Sequence, residues 1–270
     1  MIESTPESMP SALRRYTEAK IRETGAFTLL ALRVLGWSLA RMPRWSLLRP
    51  QALKIGVRSL PVVLITGTFT GAVLTVQTYT QFAKVNLENL LGAVVSVSMV
   101  REIGPVLTGI VLAGRVGAAM TAELGTMKVS DQIDALRALG TNPVIYLIVP
   151  RFIACVVLLP LLVAYSDLIG IIGGWVVAVR IMGVDSHYFW VFSARYVETW
   201  DILAGLFKAA VFGALLSLIC CFKGFSTTGG AEGVGRATTE ANVSTSIAII
   251  IVNFFLSVML KTAYDNLYGA

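Results

Sequence analysis

The sequence predicts an all-α integral membrane protein. It would have five transmembrane helices, an N-terminal amphipathic helix in the membrane interface and a short amphipathic helix on the cytoplasmic side. Three observations predict this fold. Hydrophobic residues make up 56% of the 270 residues. Only 14% are charged, whereas a soluble globular protein has about 25%. Apolar runs also recur at lengths that can cross a bilayer, which requires roughly 20 residues.

The chain divides into a cytoplasmic or interfacial region over residues 1–55 and a five-span membrane domain over residues 56–270. In the first region a helix is predicted from about Ser11 to Arg41. Its apolar residues recur at helical spacing, namely Phe27, Leu30, Ala31, Val34 and Leu35. The basic residues between them suit a helix on an anionic membrane surface. A soluble helix packed on the rest of the protein is the alternative.

The predicted spans cover about residues 59–83, 89–115, 150–180, 202–222 and 241–261. The first and last are almost free of charged residues, whereas the middle three contain isolated ones. These are Arg101 and Glu102 in the second span, Asp167 in the third and Lys208 in the fourth. A charge inside the bilayer costs about 2.5–3.5 kcal/mol on insertion scales. Each of these side chains should therefore face a partner or a cavity.

The distribution of basic residues predicts the topology. With the N-terminus inside, the cytoplasmic segments hold sixteen of the 22 lysines and arginines, and the outer segments hold four. The positive-inside rule then places the N-terminus in the cytoplasm and the C-terminus outside. The excess of basic over acidic residues therefore indicates topology and gives no reason to expect nucleic-acid binding.

The charges of the second and fourth spans are predicted to meet. If both spans run in the same direction, Glu102 and Lys208 lie at comparable depths, and we predict that they pair. Arg101 would lie nearer a central cavity lined by spans one, two and five, close to a passing lipid head group. Pairing that only fixes the helix register is the alternative. Gly104 and Pro105 follow directly and predict a bend, because proline removes a backbone donor.

Small residues recur every fourth position in three spans. The stripes are Gly67-x-x-x-Gly71, Gly109-x-x-x-Ala113-x-x-x-Gly117 and Gly170-x-x-x-Gly174. Such stripes let two helices approach closely. They predict close packing of the spans but do not indicate which face forms a dimer.

The loop between the second and third spans predicts a short helix. Ser130 is the predicted N-cap, with Asp131, Gln132 and Asp134 in the first turn. Gly140 is predicted to end the helix in the left-handed conformation. Three residues would form one apolar ridge: Ile133, Leu136 and Leu139. Such a ridge suits a groove on another protein, and a connector resting on the membrane surface is the alternative.

Other candidate sites are weaker. The glycine-rich segment 224–236 lacks the order of a phosphate-binding loop and predicts a flexible connector with a second contact to a partner. His187 is the only histidine and lies among aromatic residues typical of a membrane interface. The three cysteines lie in apolar runs and are interpreted as packing residues. No metal site and no catalytic group of residues is predicted.

Several motifs together resemble a known family. Asp134-Ala-Leu-Arg-Ala-Leu-Gly-Thr-Asn-Pro, followed by Pro150, resembles the EAA loop of ABC transporter membrane subunits. The other matching motifs are Arg101-Glu-Ile-Gly-Pro-Val, Ala113-Gly-Arg-Val-Gly-Ala-Ala-Met-Thr-Ala-Glu-Leu-Gly, Pro150-Arg-Phe and Gly235-Arg-Ala-Thr-Thr. In combination they are similar to the MlaE/YrbE lipid-transport permeases from about Gly56 onward.

The resemblance implies a permease subunit of the bacterial inner membrane. It implies a homodimer with a separate cytoplasmic ABC ATPase, a periplasmic MCE-domain protein and often a small STAS-domain protein. The cargo would be phospholipids or related lipids moved between the inner and outer membranes. Residues Ser130–Leu139 would be the coupling helix, contacting the ATPase together with Glu123. ATP and magnesium would bind to the ATPase, so no cofactor is expected on this chain.

Two other functions remain open from the sequence. An ATP-independent carrier or channel for lipids or small molecules would account for the buried charges, but not for a docking helix. A lipid-modifying membrane enzyme would require a group of acid and base residues that the sequence does not offer.

Overall fold

The computed structural model describes residues 9–40 and 43–268. The helices of this part of the chain are α1 (Met9–Ala40), α2 (Trp45–Ile55), α3 (Leu60–Phe82), α4 (Leu91–Ser98), α5 (Gly104–Leu112), α6 (Ala118–Val129), α7 (Gln132–Ala138), α8 (Val149–Arg180), α9 (Ser186–Tyr196), α10 (Thr199–Phe225) and α11 (Gly230–Tyr268). They confirm the predicted all-α membrane fold.

Five helical segments are long and apolar enough to cross a membrane, as predicted. They contain α3, then α4 to α6 as one segment, then α8, α10 and α11. Because consecutive spans alternate in direction, α2, α7 and the 226–229 connection lie at one end of the bundle, the α7 end. Helix α9 and the C-terminal part of α11 lie at the opposite α9 end.

The second span is not a regular helix. Two π-helical turns, Met99–Ile103 and Ala113–Gly117, separate α4, α5 and α6. Pro105 occupies the first turn of α5, where its missing N–H does least harm. The irregularity predicted at Gly104 and Pro105 is therefore a π-helical turn just before them. Turns of this kind often mark functional positions in helices.

Helix α8 is the centre of the bundle and packs against α2, α3, α5 and α10. Its contact with α3 depends on glycine, as the small-residue stripes predicted. A methyl group added to Gly67 would lie 2.7 Å from the carbonyl oxygen of Ser166, and one added to Gly71 would overlap the carbonyl oxygen of Gly170. The two backbones therefore touch directly, which no larger residue permits.

Replacing Gly71 by alanine is expected to destabilise the protein by about 1–3 kcal/mol, because α3 and α8 must separate. Gly36→Ala in α1 is the matched control, since an added Cβ there has no heavy atom within 4 Å. Alanine should stabilise that exposed helix position by up to about 1 kcal/mol. Unfolding midpoints in detergent would measure both changes. Equal midpoints for the two variants would contradict the close α3–α8 contact.

Helix α1 packs against the bundle at the α7 end. Val34 is fully buried there, and Phe27 and Leu30 pack on the same apolar cluster. Glu23 forms an ion pair with Lys223 of α10 at 2.8 Å, and this hydrogen bond lowers the pKa of the Glu23 carboxyl. The structure thus favours the alternative in which α1 packs on the rest of the protein. The exposed leucines on its other faces still suit a membrane interface, although Arg41 lies outside the described residues.

The glycine-rich segment 224–236 is mostly helical, so the predicted flexible connector is wrong for most of its length. Helix α10 runs to Phe225, and α11 already begins at Gly230. Only residues 226–229 connect the two helices, and Gly229 adopts a positive φ of 87° that glycine tolerates. Local glycine content gave no information about the helix packing that keeps residues 230–236 in α11.

Candidate functional site

The predicted pair of charges is present in the α9 half of the bundle. Lys208 of α10 donates a hydrogen bond of 2.7 Å to Glu102 Oε1. Its ammonium group also donates to Ser257 Oγ at 2.8 Å and to the carbonyl oxygen of Arg101 at 3.0 Å. All three donors of the lysine are thereby used, as burial of an ammonium group requires.

Glu102 has further partners on α11. The side-chain amide of Asn253 donates to Glu102 Oε2 at 3.1 Å, and Ser257 Oγ lies 3.0 Å from the same oxygen. Neither partner was predicted, although Asn253 and Ser257 are polar residues four apart in an apolar span and so share one helix face. Lys208 is 1% exposed and Glu102 is 39% exposed. The lysine of this pair is therefore buried, whereas the carboxylate is partly exposed.

Arg101 has a separate partner, Asp201 at the start of α10, which was not predicted. The arginine Nε donates to Asp201 Oδ1 at 2.8 Å, and a second guanidinium nitrogen contacts the same oxygen. Asp201 Oδ2 also accepts from the backbone N–H of Glu198, which caps the helix. Arg101 itself is 46% exposed. This exposure of the side chain agrees with the predicted position of Arg101 at a cavity.

A cavity of about 490 Å³ lies beside these charges. Its lining comes from the second span, α10 and α11: Arg101, Glu102, Trp200, Ala204, Lys208, Phe254, Ser257, Val258, Leu260, Lys261, Tyr264 and Asp265. Spans two and five, which were predicted to line a lipid cavity, contribute to this lining, whereas α3 of the first span packs on α8 and contributes no residue to it. The cavity joins charged groups to apolar and aromatic surface, a lining that suits an amphiphilic molecule.

Gly104, one of the two predicted bend residues, contacts Asp167 of the third span. A Cβ on Gly104 would overlap Asp167 Oδ1, so glycine is needed for α5 and α8 to meet here. Pro105 is buried beside it. Asp167 is 7% exposed, and among the residues the structure describes its Oδ1 has no hydrogen-bond partner. The structure therefore places Asp167 against the irregular second span and away from the cavity lining.

The short helix predicted at the α7 end is present as α7, but its N-cap is not Ser130. Ser130 ends the preceding helix, and its hydroxyl donates to the carbonyl oxygen of Thr126 at 2.7 Å. Asp131 occupies the N-cap position in a left-handed conformation with φ 57° and makes no side-chain cap bond. The predicted end is confirmed, because Gly140 has a φ of 73°.

The predicted apolar ridge of α7 is divided between two faces. Ile133 is fully buried, and Leu136 packs against the same cluster of residues from α1, α8 and α10. Only Leu139 points outward, and it is 80% exposed. Gln132 and Asp131 are also exposed. Ile133 and Leu136 therefore fix α7 to the bundle, and the face open to a partner carries Leu139 and Gln132.

One ion pair holds α7 to the helix before it, and a second lies within α7. Asp134 accepts from Lys128 at 2.8 Å and from Arg137 at 2.7 Å. The hydrogen bond from Lys128, with the positive charges of both partners, lowers the pKa of the Asp134 carboxyl. Asp134 thus connects α7 with α6, and its predicted contact with a partner stays a prediction.

Glu123, also predicted to contact a partner, is held within the chain. Its carboxylate accepts from Lys54 of α2 at 3.1 Å and pairs with Arg151 of α8 at 3.1 Å. Arg151 is 3% exposed, and one of its nitrogens donates to the carbonyl oxygen of Leu147. Glu123 thus neutralises a buried arginine and links α2, α6 and α8.

Comparisons with known proteins group this chain with membrane permeases. The family model described as Permease MlaE matches residues 48–259. A Rickettsia typhi protein named probable ABC transporter permease protein is 42% identical, over 91% of this chain and 95% of its own length. The Haemophilus influenzae intermembrane phospholipid transport system permease protein MlaE is 38% identical, over 79% of this chain and 82% of its own. The chloroplastic protein TRIGALACTOSYLDIACYLGLYCEROL 1 of Arabidopsis thaliana is 40% identical, over 79% of this chain and 61% of its own.

Proposed function

The chain belongs to the MlaE permease family, and we propose that it moves phospholipids between the inner and outer membranes as the permease of an ABC transporter. A separate ATPase subunit would drive the movement and would bind ATP and magnesium. The chain itself would carry no cofactor and would catalyse no reaction. The observation that carries the proposal is that one bundle holds an amphiphile-sized cavity at its α9 end and an exposed helix, α7, at the other.

The lining of the cavity supports a phospholipid as cargo. A phospholipid has an anionic phosphate group and apolar chains. The cavity presents Arg101 and Lys261 beside Phe254 and Val258. Glu102 neutralises Lys208, and Asp201 neutralises Arg101, but 46% of the Arg101 side chain stays exposed. Its guanidinium and the ammonium of Lys261 could therefore still donate hydrogen bonds to the phosphate of a lipid. Its volume of about 490 Å³ fits a head group and the first part of its chains rather than a whole lipid.

The exposed face of α7 supports an ATPase partner. Leu139 is 80% exposed at the end of a short helix at the α7 end, so a groove on a partner could bury it. Because Ile133 and Leu136 anchor the other face of α7, a push on Leu139 would move the helix together with the bundle. The proposed contact surface is therefore Leu139 with Gln132 and Asp131.

The charge distribution supports an inner-membrane protein with its N-terminus in the cytoplasm and its C-terminus in the periplasm. The α7 end carries most of the basic residues outside the spans. This orientation places α7 in the cytoplasm, where ATP is available to an ATPase. It places the cavity near the periplasmic surface, where an MCE-domain protein would receive the lipid. A STAS-domain protein would join the complex on the cytoplasmic side.

The exposed face of α11 supports a homodimer. In the third span 61% of the most apolar segment is buried, but in the fifth span the share is 11%. Ile247, Ile251, Phe254 and Phe255 of α11 are all at least half exposed. The cavity also opens beside α11, so a second copy seated on this helix would enclose it. The dimer interface would then form part of the wall around the lipid.

Reconstitution in vesicles separates the proposed transporter from an ATP-independent carrier. With the ATPase subunit and ATP, transfer of a fluorescent phospholipid should exceed the transfer seen with a non-hydrolysable ATP analogue at least tenfold. Fluorescence quenching at the vesicle surface would measure it. Vesicles that contain the permease without the ATPase are the control. Transfer at the full rate in that control would overturn the proposal in favour of a passive carrier.

A further inference from the structure

A second pocket lies at the α7 end of the bundle, on the opposite side of the membrane from the cavity. Its volume is about 380 Å³. The lining comes from α2, the following turn and the end of the second span: Gln51, Lys54, Ile55, Arg58, Arg115, Val116, Ala119, Met120 and Glu123. Nothing in the proposed transport cycle uses this pocket.

The pocket carries an excess of positive charge. Three cations line it, namely Lys54, Arg58 and Arg115, against one carboxylate, that of Glu123. Glu123 is already paired with Lys54 and with the buried Arg151. Within the part of the chain that the structure describes, neither Arg58 nor Arg115 has a carboxylate partner. Arg115 donates one hydrogen bond, of 2.5 Å, to Ser59 Oγ.

Two guanidinium groups without a carboxylate partner line one pocket, and an anion bound there would neutralise their charge. Each guanidinium presents a planar set of donors that matches the oxygens of a phosphate. The side-chain amide of Gln51 adds a further donor at the rim. The remaining wall is apolar, from Ile55, Val116 and Met120. A phosphate with an attached apolar group satisfies both parts of this lining.

The position of the arginines along the chain also points to a lipid head group. Arg58 directly precedes the uncharged first span, and Arg115 follows the uncharged run that ends the second. Both therefore lie at the level where the hydrocarbon ends. Basic pockets between helices at this level bind the phosphates of anionic lipids. Val57 is 58% exposed beside Arg58, and Ile65 in the next turns is 60% exposed, so acyl chains would meet apolar surface.

We propose that this pocket binds a phosphate group through Arg58 and Arg115. The phosphate could belong to a phospholipid of the adjacent leaflet or be free in solution, because both offer the same oxygens. A bound phosphate would join α2 to the second span. The proposal concerns a site separate from the transport cavity and does not depend on the proposed function.

The test uses the full-length protein purified in detergent and titrated with phosphatidylglycerol. Native mass spectrometry would measure the number and affinity of lipids retained per chain. The test variant is Arg58→Gln with Arg115→Gln. The matched control is Arg180→Gln with Arg195→Gln, which removes two guanidinium groups at the α9 end. Diacylglycerol with the same acyl chains and inorganic phosphate are the comparison probes.

The test variant should bind one phosphatidylglycerol at least tenfold more weakly than wild type, while the control variant binds it unchanged. Diacylglycerol should show no dependence on the two arginines. Displacement of this lipid by inorganic phosphate would identify free phosphate as a sufficient ligand, and no displacement would identify the lipid as the ligand. Equal binding by the test and control variants would overturn the proposal. If the double variant does not fold, the single variant Arg58→Gln, at an exposed position, replaces it in the test. It should weaken binding of phosphatidylglycerol about threefold or more.

Discussion

Replacing Glu102 by glutamine is expected to destabilise the protein more than replacing its partner Lys208 by methionine. Lys208 is 1% exposed, so loss of the carboxylate leaves an ammonium group buried without a counter-charge. Removing one partner of a buried ion pair costs about 3–5 kcal/mol. Glu102 is 39% exposed to the cavity and keeps hydrogen bonds from Asn253 and Ser257 when the lysine is lost. We expect Lys208→Met to cost about 1–3 kcal/mol.

Unfolding midpoints in detergent, with the two variants and their combination, would measure this asymmetry. The double variant Glu102→Gln with Lys208→Met should recover most of the lost stability, because replacing both partners of a buried pair is often nearly neutral. Additive losses in the double variant would show that the two side chains do not interact in the protein.

Transport by the double variant separates a structural role of the pair from a functional one. We expect the double variant to fold but to transfer phospholipid at least tenfold more slowly, because two of the charged groups that line the cavity are gone. Transfer at the wild-type rate would show that the pair only fixes the register of the second span, α10 and α11. The comparison is possible because the unfolding midpoint in detergent and the transfer rate in vesicles are measured on the same purified variants.

The pairing of Glu102 with Lys208 could be predicted because a charge in the middle of an apolar span has few acceptable surroundings. Only three spans contain such charges, and Glu102 and Lys208 have opposite sign, lie on different spans and were placed at comparable depth. Asp201 could not be found in this way. It lies at the start of α10, where an acidic residue is common and needs no distant partner. The Arg101–Asp201 contact depends on how α10 leans on the second span.

The helices around the cavity could not be predicted from composition. Span one was also predicted to line the cavity, but Gly67 and Gly71 bring α3 into direct contact with α8, and α3 contributes no residue to the lining. The glycine stripes showed that α3 packs closely against another span. They carried no information about which span that is, because similar stripes occur in the second and third spans.

The short helix α7 shows a second limit of sequence periodicity. Apolar residues at positions 133, 136 and 139 indicated a helix but not which of them face the rest of the chain. The structure assigns Ile133 and Leu136 to the bundle because α1 and the start of α8 cover that face. Likewise, Ser130 has the residue type of an N-cap, but α6 continues to Val129 and uses its hydroxyl.

The largest functional effect is expected from a charge at Leu139. Leu139→Glu should release the ATPase subunit, because a carboxylate would have to be buried where an 80% exposed leucine is proposed to enter a groove. Co-purification of the ATPase with the detergent-solubilised permease would measure the loss, expected to be at least tenfold. The unfolding midpoint of the permease should change little, since the substituted side chain contacts water in the isolated chain.

Two further variants show whether that loss reflects the contact or the fold. Leu87→Glu, at an exposed leucine of the α9 end, should leave the ATPase bound. Ile133→Glu should lower the unfolding midpoint of the permease itself, because it places a charge in a fully buried position. If Leu139→Glu leaves the ATPase bound while Ile133→Glu releases it, binding of the ATPase would depend on the attachment of α7 to the bundle and not on the exposed face of α7. The contact surface would then have to lie elsewhere at the α7 end.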